Sequence, residues 1–202
     1  MPRRPRIDFA GFHHIVNRGV ARSDVFREKR DKEQFLQIVC KACKVYKVNV
    51  HDYCLMDNHF HLLIELTSEN LSLFMRQINS NYAIYFNKKY DRSGALFQGR
   101  FKKIHIDNER YLQWLIGYVN GNIEIHGLGK VSDYPWSSYQ AVRKELNSFL
   151  QKEEGGLSNL SVLSGLDIVL SQFASVGQFE EFIGQVTIES KINKKMKKYF
   201  LE

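Results

Sequence analysis

Apolar positions along the chain repeat with two periods, and the places where one gives way to the other outline the fold. From Asp31 to about Lys47, Phe35, Leu36, Val39, Cys40 and Cys43 recur every three or four residues, the stripe of an amphipathic helix. The same period governs Leu71 to Lys88. There Leu71, Phe74, Met75, Ile78, Tyr82 and Tyr85 form the stripe, and Arg76, Asn79, Asn81 and Asn87 the polar face. A further helix is expected from Asn108 to about Ile123, with Asn108 as cap and Asp107 and Glu109 near its positive end. Between these helices the pattern is that of strands, over 11–17, 48–56, a run starting at His59, and 101–106. Asp57-Asn58 reads as a two-residue turn that makes the second and third strands a hairpin. Tyr134-Pro-Trp-Ser-Ser138 reads as a turn before a short helix, and Lys152-Glu-Glu-Gly-Gly156 as a hinge. Weak helical patterns follow, including 166–173 and 179–182.

Strand, helix, strand, strand, helix, strand is the order of an α+β fold: a split βαβ, ferredoxin-like or RRM-like antiparallel sheet with helices packed on one face. A small helical extension follows, so the chain divides into a domain of residues 1–145 and a basic C-terminal extension of residues 146–202. Packing both long helices on one side leaves the other sheet face free for chemistry.

The strand after the turn carries His59-Phe-His61. Successive strand side chains point to opposite faces, so the two imidazoles project together and can grip one divalent cation, or can be two ordinary sheet residues. Glu65 shares their face. In the helix starting at Asn108, Leu112, Leu115, Ile116, Val119 and Ile123 form the core stripe, and Tyr118 and Asn122 lie on its flank one turn apart. That places a phenol and a carboxamide side by side, either at a cleft or at a wet core boundary. Gly117 and Gly121 each cost about 1 kcal/mol relative to alanine within a helix, which points to close approach by another backbone or by a ligand. Cys40 and Cys43 make a lone C-x-x-C inside a helical pattern, better read as two small thiols on a core face than as half of a zinc site.

Charge narrows the partners. The formal net charge of the 202 residues is +7, with basic clusters at Arg3, Arg4 and Arg6, at Arg18 and Arg22, at Arg100, Lys102 and Lys103, and from Lys191 to Lys198. Such an excess favours a polyanion, most simply nucleic acid. No apolar run is long enough to cross a bilayer and Met1 leads into no signal-peptide segment, so a cytoplasmic, nucleoid-associated protein is expected, with no membrane partner.

Five short motifs stand in a telling order: Asn17-Arg-Gly19; Tyr53-Cys-Leu-Met56 leading into Asn58-His-Phe-His-Leu-Leu63; Leu96-Phe-Gln-Gly-Arg-Phe-Lys102; Tyr118-Val-Asn-Gly-Asn122; and Asp133-Tyr-Pro-Trp-Ser-Ser138. Together, over roughly residues 9 to 142, they resemble the REP-associated tyrosine transposases of the single-tyrosine HUH nuclease superfamily. The resemblance implies that His59 and His61 bind a divalent metal, Mg2+ or Mn2+, with Asn122 as third protein ligand and Tyr118 as nucleophile. It implies an enzyme that cleaves and rejoins single-stranded or hairpin DNA near palindromes through a 5′-phosphotyrosine intermediate, with no nucleotide cofactor, as monomer or homodimer. Arg18, Arg22, Arg100, Lys102 and Lys103 are the candidates for backbone contacts to DNA. The chain departs from the family pattern at Asp57, Ile123 and Ile125, where proline, proline and arginine are usual. A domesticated, non-catalytic hairpin-binding regulator is the alternative. An RNA-binding protein of similar architecture would need exposed aromatics such as Tyr53 and Phe60.

Overall fold

The hairpin expected at Asp57-Asn58 forms, and the sheet is built outward from it. In the computed structural model, which describes residues 8–151 and 162–193, the elements are β1 (Gly11–Arg18), α1 (Lys29–Tyr46), β2 (Val48–Met56), β3 (His59–Leu66), α2 (Leu71–Lys89), β4 (Lys102–Ile106), α3 (Glu109–Ile125), α4 (Tyr139–Gln151), α5 (Leu166–Leu170) and α6 (Val176–Ile192). Arg3, Arg4, Arg6, the expected hinge at 152–156 and the lysines after residue 193 lie outside the described residues. Strand order is β2-β3-β1-β4, every neighbouring pair antiparallel, the arrangement expected of a split βαβ unit.

The two faces of the sheet differ. Phe60, Leu62 and Ile64 point from β3 to the side covered by α1 and α2. Phe35 of α1 lies 4.6 Å from the Phe60 ring and meets Tyr82 of α2 edge-on at 5.2 Å. Each such ring, fully buried, stabilises the fold by roughly 1.5–3 kcal/mol. Asp31 fastens the two helices. Its buried carboxylate accepts from the amides of Arg27 and Glu28, from Tyr85 and Tyr90, and from Lys89 Nζ at 2.5 Å. It thereby serves as the N3 member of the α1 capping box.

Both long helices therefore pack on one side, but the opposite face is not left open. α3 lies across it, and the reason is in the polar residues beneath. A bulge between Val50 and Asp52 accompanies a buried Asp52 carboxyl that meets α3. There it accepts from Asn120 Nδ2 at 2.8 Å and contacts Ser138 Oγ. Burial pushes this carboxyl well above the usual carboxylate range, more than Ser138, the Tyr53 amide and Asn120 can offset. Burial thus favours the neutral form of Asp52, and Ser138 Oγ, which contacts this carboxyl, also lies within hydrogen-bond distance of the Tyr53 carbonyl.

The Asp133–Ser138 motif closes the outer edge of β2. Leu55 N donates to Trp136 O, Ser138 N to Tyr53 O, and Cys54 bridges to Ser137. Further along the same edge Leu163 bridges to Val50, so an edge that would otherwise invite pairing with another chain is covered. Beyond α3 lies α6, and the two glycines are explained by it. A Cβ on Gly117 would stand 2.9 Å from Val186 Cγ2, and one on Gly121 2.5 Å from Thr187 Oγ1. The close approach is by α6, not by a ligand. No helix among the described residues is long and apolar enough to cross a membrane.

Candidate active site

Strand register decides what the histidine pair meets. Across the face that α3 covers, Arg18 stands opposite His59 and Val16 opposite both His61 and Lys102, while His14 stands opposite Leu63. The rings of His59 and His61 lie 5.0 Å apart, edge to face. Each has its Nδ1 engaged within the protein. His59 Nδ1 donates to Asn58 Oδ1 at 2.6 Å, and His61 Nδ1 shares a 2.9 Å hydrogen bond with His14 Nε2. Both rings are thus held in orientation by a second residue, as metal-binding imidazoles commonly are.

α3 supplies the other wall. The Tyr118 ring is completely buried, edge-on to His61 at 5.8 Å and stacked under Trp114 at 5.2 Å. Asn122 follows one turn later, also fully buried. Of the two placements open for Tyr118, the wet core boundary is excluded: the ring is in the contact layer between helix and sheet. Among the described residues no three His, Cys, Asp or Glu side chains cluster as a metal site. The residues that could hold a divalent ion are His59, His61 and Asn122, which offer two imidazoles and an amide oxygen.

Two residues of the site escaped the sequence pattern. His14 becomes visible only through the pairing of β1 with β3, which the sequence does not state. His126 lies one turn beyond Asn122, its ring 5.8 Å from that of His59. A proline after Asn122 would end the helix there; with Ile123 the helix continues to Ile125 and His126 N donates to Asn122 O at 3.1 Å. The departure at Asp57 is also accommodated. Its carboxylate takes Lys32 Nζ at 2.7 Å, and its carbonyl accepts from the amides of Val25 and Phe26.

The basic candidates divide. Arg18 and Arg22 line a cleft of about 580 Å³ together with Asp24, Asn58, His59 and His126. Arg18 also lines a smaller cleft of about 160 Å³ with Asn17, Arg100 and Lys102. Lys103 is not brought to the site. It pairs with Ile15, so it projects from the face opposite to His14, and its Nζ meets Asp8 at 3.1 Å. Glu65 shares the histidine face but sits about 20 Å along the strand from His59, near Asn49 and His51. Phe60 is buried against Phe35 and cannot stack on a base, which removes half of the support for an RNA-binding surface. Cys40 and Cys43 are half-buried on α1, and burial pushes the Cys43 thiol up to about 12, so it behaves as a packing residue.

Sequence comparison decides the family. The profile described as "Transposase IS200 like" matches residues 10–122, more than half of the chain and the whole stretch from β1 to Asn122. The chain belongs to the IS200-like transposase family. No curated protein sequence matches this family member. Its fold is similar to that of a REP-associated tyrosine transposase solved with a bound REP hairpin, at a TM-score of 0.59 and 19% identity over 81% of this chain and 98% of that one. A Deinococcus radiodurans protein assigned to the transposases matches more loosely, with TM-score 0.42 and 12% identity over 56% and 92% of the two chains. The tRNA(His) guanylyltransferase of Saccharomyces cerevisiae does so with TM-score 0.40 and 10% identity over 93% and 82%. At those scores neither bears on function. The resemblance carried by the five motifs is borne out for the fold and, at the level of the IS200-like transposases, for the family.

Proposed function

We propose that this IS200-like transposase is a metal-dependent endonuclease and strand transferase acting on single-stranded or hairpin DNA, with Tyr118 as nucleophile. The observation that carries the reading is the placement of the Tyr118 ring against His61, with Asn122 one turn further along the same buried helix face. His59 Nε2, His61 Nε2 and the Asn122 side chain would hold Mg2+ or Mn2+. When bound, the ion supplies Lewis-acid polarisation of the scissile phosphate. A free phenol has a pKa near 10 and is a weak nucleophile, so a rigid position beside the phosphate is what the protein contributes.

In the reaction the Tyr118 oxygen forms a bond to phosphorus as the bond from phosphorus to the 3′ oxygen breaks. The phenolic proton is lost to solvent and the departing oxygen takes one up, leaving a 5′-phosphotyrosine and a free 3′-hydroxyl. Attack by a second 3′-hydroxyl reverses the step and joins strands. A hairpin substrate is adopted because the structurally similar REP-associated transposase was solved with one. Arg18 and Arg22, in the cleft beside His59, are assigned to the DNA strand that leads to the site.

The complete burial of Tyr118 beneath Trp114 favours a second reading, a regulator that binds hairpins without cutting them. One experiment separates the two. The protein is mixed with labelled single-stranded DNA containing palindromes from its own genome, with manganese or with EDTA, beside the Tyr118→Phe variant. A denaturant-resistant protein–DNA adduct that needs the metal and is absent from the variant is the expected result. Tight hairpin binding with no adduct from either protein would replace the strand-transferase reading with the regulator.

A further inference from the structure

Two of the five motifs, Asn17-Arg-Gly19 and Leu96 to Lys102, contain none of the proposed catalytic groups, yet the fold brings them together. The β1–β4 ladder runs to Val16 opposite Lys102, and the next bridge joins Gly19 to Phe97. Residues 98–101 thus face only residues 17 and 18, and the surplus bulges away from β1. Gln98 N donates to Arg18 O, Val20 N to Leu96 O, and the bulge is fixed at its far end. Bulges of this kind gather beside functional sites because they open a regular ladder at one point.

What the bulge opens is the cleft of about 160 Å³ lined by Asn17, Arg18, Arg100 and Lys102. It is well below the roughly 300 Å³ at which pockets for drug-sized ligands begin. Asn17 is 5% exposed, and its Oδ1 accepts from Arg18 N at 3.0 Å. Its Nδ2 is buried with no hydrogen-bond partner among the described residues, and the same is true of Arg18 Nε. Buried donors without acceptors are costly, about 1–3 kcal/mol each, and are retained where a ligand completes them. The Asn17 amide together with the Arg18, Arg100 and Lys102 side chains describes the complement of a single phosphate group.

We propose that this slot seats a phosphodiester of the DNA strand adjacent to the scissile one. The placement rests on the strand-transferase reading and follows from Arg18. That residue lines both clefts and stands directly across the ladder from His59, so a strand crossing the histidine pair passes from the larger cleft into the slot. Asn17 and Arg18 hold the strand in register without reading bases, which is how phosphate contacts act.

The test uses full-length Tyr118→Phe protein in EDTA, so that binding is measured without cleavage. Hairpin DNA is prepared with one linkage at a time replaced by an uncharged methylphosphonate. One neutral linkage beside the scissile position is expected to weaken binding roughly tenfold, the loss of one or two hydrogen bonds to a charged group. In Asn17→Asp, which loses the donor and adds a negative charge, that same linkage should cost nothing or even favour binding, and in the exposed-site variant Lys102→Ala its cost should shrink. The salt dependence of Lys102→Ala should flatten by about 0.7 in slope, one phosphate contact on a single strand. A methylphosphonate profile identical in all three proteins overturns the seat while leaving an adduct-forming transposase intact. Loss of all DNA binding in the parent protein would sink both readings. Inorganic phosphate at millimolar concentration is the last probe. Thermal protection that DNA abolishes supports the seat, whereas protection that DNA does not displace assigns a free-anion site and overturns it.

Discussion

Gly121→Ala probes how closely α6 packs on the helix that carries Tyr118 and Asn122. On an isolated helix the change gains about 1 kcal/mol. Here the added methyl would stand 2.5 Å from Thr187 Oγ1 and 3.4 Å from Ile183 Cγ2. The first contact lies below the 3.0 Å that real Cβ atoms essentially never breach, so Thr187 must turn or α6 must move. Thr187 is buried within α6, where a β-branched side chain has few rotamers to choose from. Overpacking of this kind costs about 1–3 kcal/mol. Setting the helix-propensity gain against it leaves a net loss of roughly 0–2 kcal/mol.

A double-mutant cycle isolates the clash. Thr187 Oγ1 has no hydrogen-bond partner among the described residues, so Thr187→Ala removes the obstacle without breaking a hydrogen bond. In that background Gly121→Ala should become stabilising, by up to about 1 kcal/mol. The coupling read from urea unfolding of the four proteins is then about 1–3 kcal/mol, within the range for residues in contact. Zero coupling, with Gly121→Ala equally stabilising in both backgrounds, would refute the close packing of α6 on α3.

Three further outcomes follow from buried groups. Burial acts to raise the Asp31 carboxyl, but Lys89, Tyr90, the Arg27 amide and Tyr85 outweigh it and hold the group below its ordinary 3.8. Its contribution is therefore present above that value and lost as pH falls through the folded one. Asp31→Asn should cost about 2 kcal/mol at pH 7, a difference that closes below about pH 4 in unfolding titrations; a constant gap would be contrary. Asp52 has the opposite sign. Its raised carboxyl contributes stability below 3.8 that is lost as pH rises toward the folded value, so Asp52→Asn should gain on the parent from about pH 4 upward. Parallel thermal-midpoint profiles would show that Asp52 is not held neutral. Trp114→Ala uncovers Tyr118 and is expected to raise the initial rate of adduct formation at a stability cost of about 1–2 kcal/mol, less than full burial would give; a slower rate would show that Trp114 is not a cover.

The strands and helices were legible because their periods are clean: β2 and α2 begin and end within a residue or two of the expected positions, and β3 begins at His59 as expected. The histidine pair was legible for the same reason, since alternation alone places His59 and His61 on one face. What the chain conceals is pairing. His14 and His13 look equivalent in sequence, and only the β1–β3 register sets His14 on His61 and turns His13 to the other face. α6 was legible only as fragments, because Gly177, Gly184 and the polar residues between its apolar positions blur the period over a helix of 17 residues. The basic clusters carry the least positional information. Lys102 and Lys103 are neighbours in sequence, yet one lines the slot beside Arg18 and the other pairs with Asp8, because adjacent strand residues face apart.

The same logic explains why α3 needs both of its unusual features. Asn120 lies midway between Tyr118 and Asn122, and its amide is tied to Asp52 at 2.8 Å and to Ile116 O at 2.9 Å. That contact fixes the rotation of α3 over the sheet, so the residues two before and two after Asn120 both come to the histidine side. An ionised Asp52 there would bury a charge without a cation, whereas a neutral one satisfies Asn120 and Ser138 together. From the outer side α6 closes on Gly117 and Gly121 and prevents α3 from lifting. In the strand-transferase reading proposed above, access to Tyr118 comes from the movement of smaller groups, and Trp114, half-buried and stacked on the phenol, is the one placed to do so.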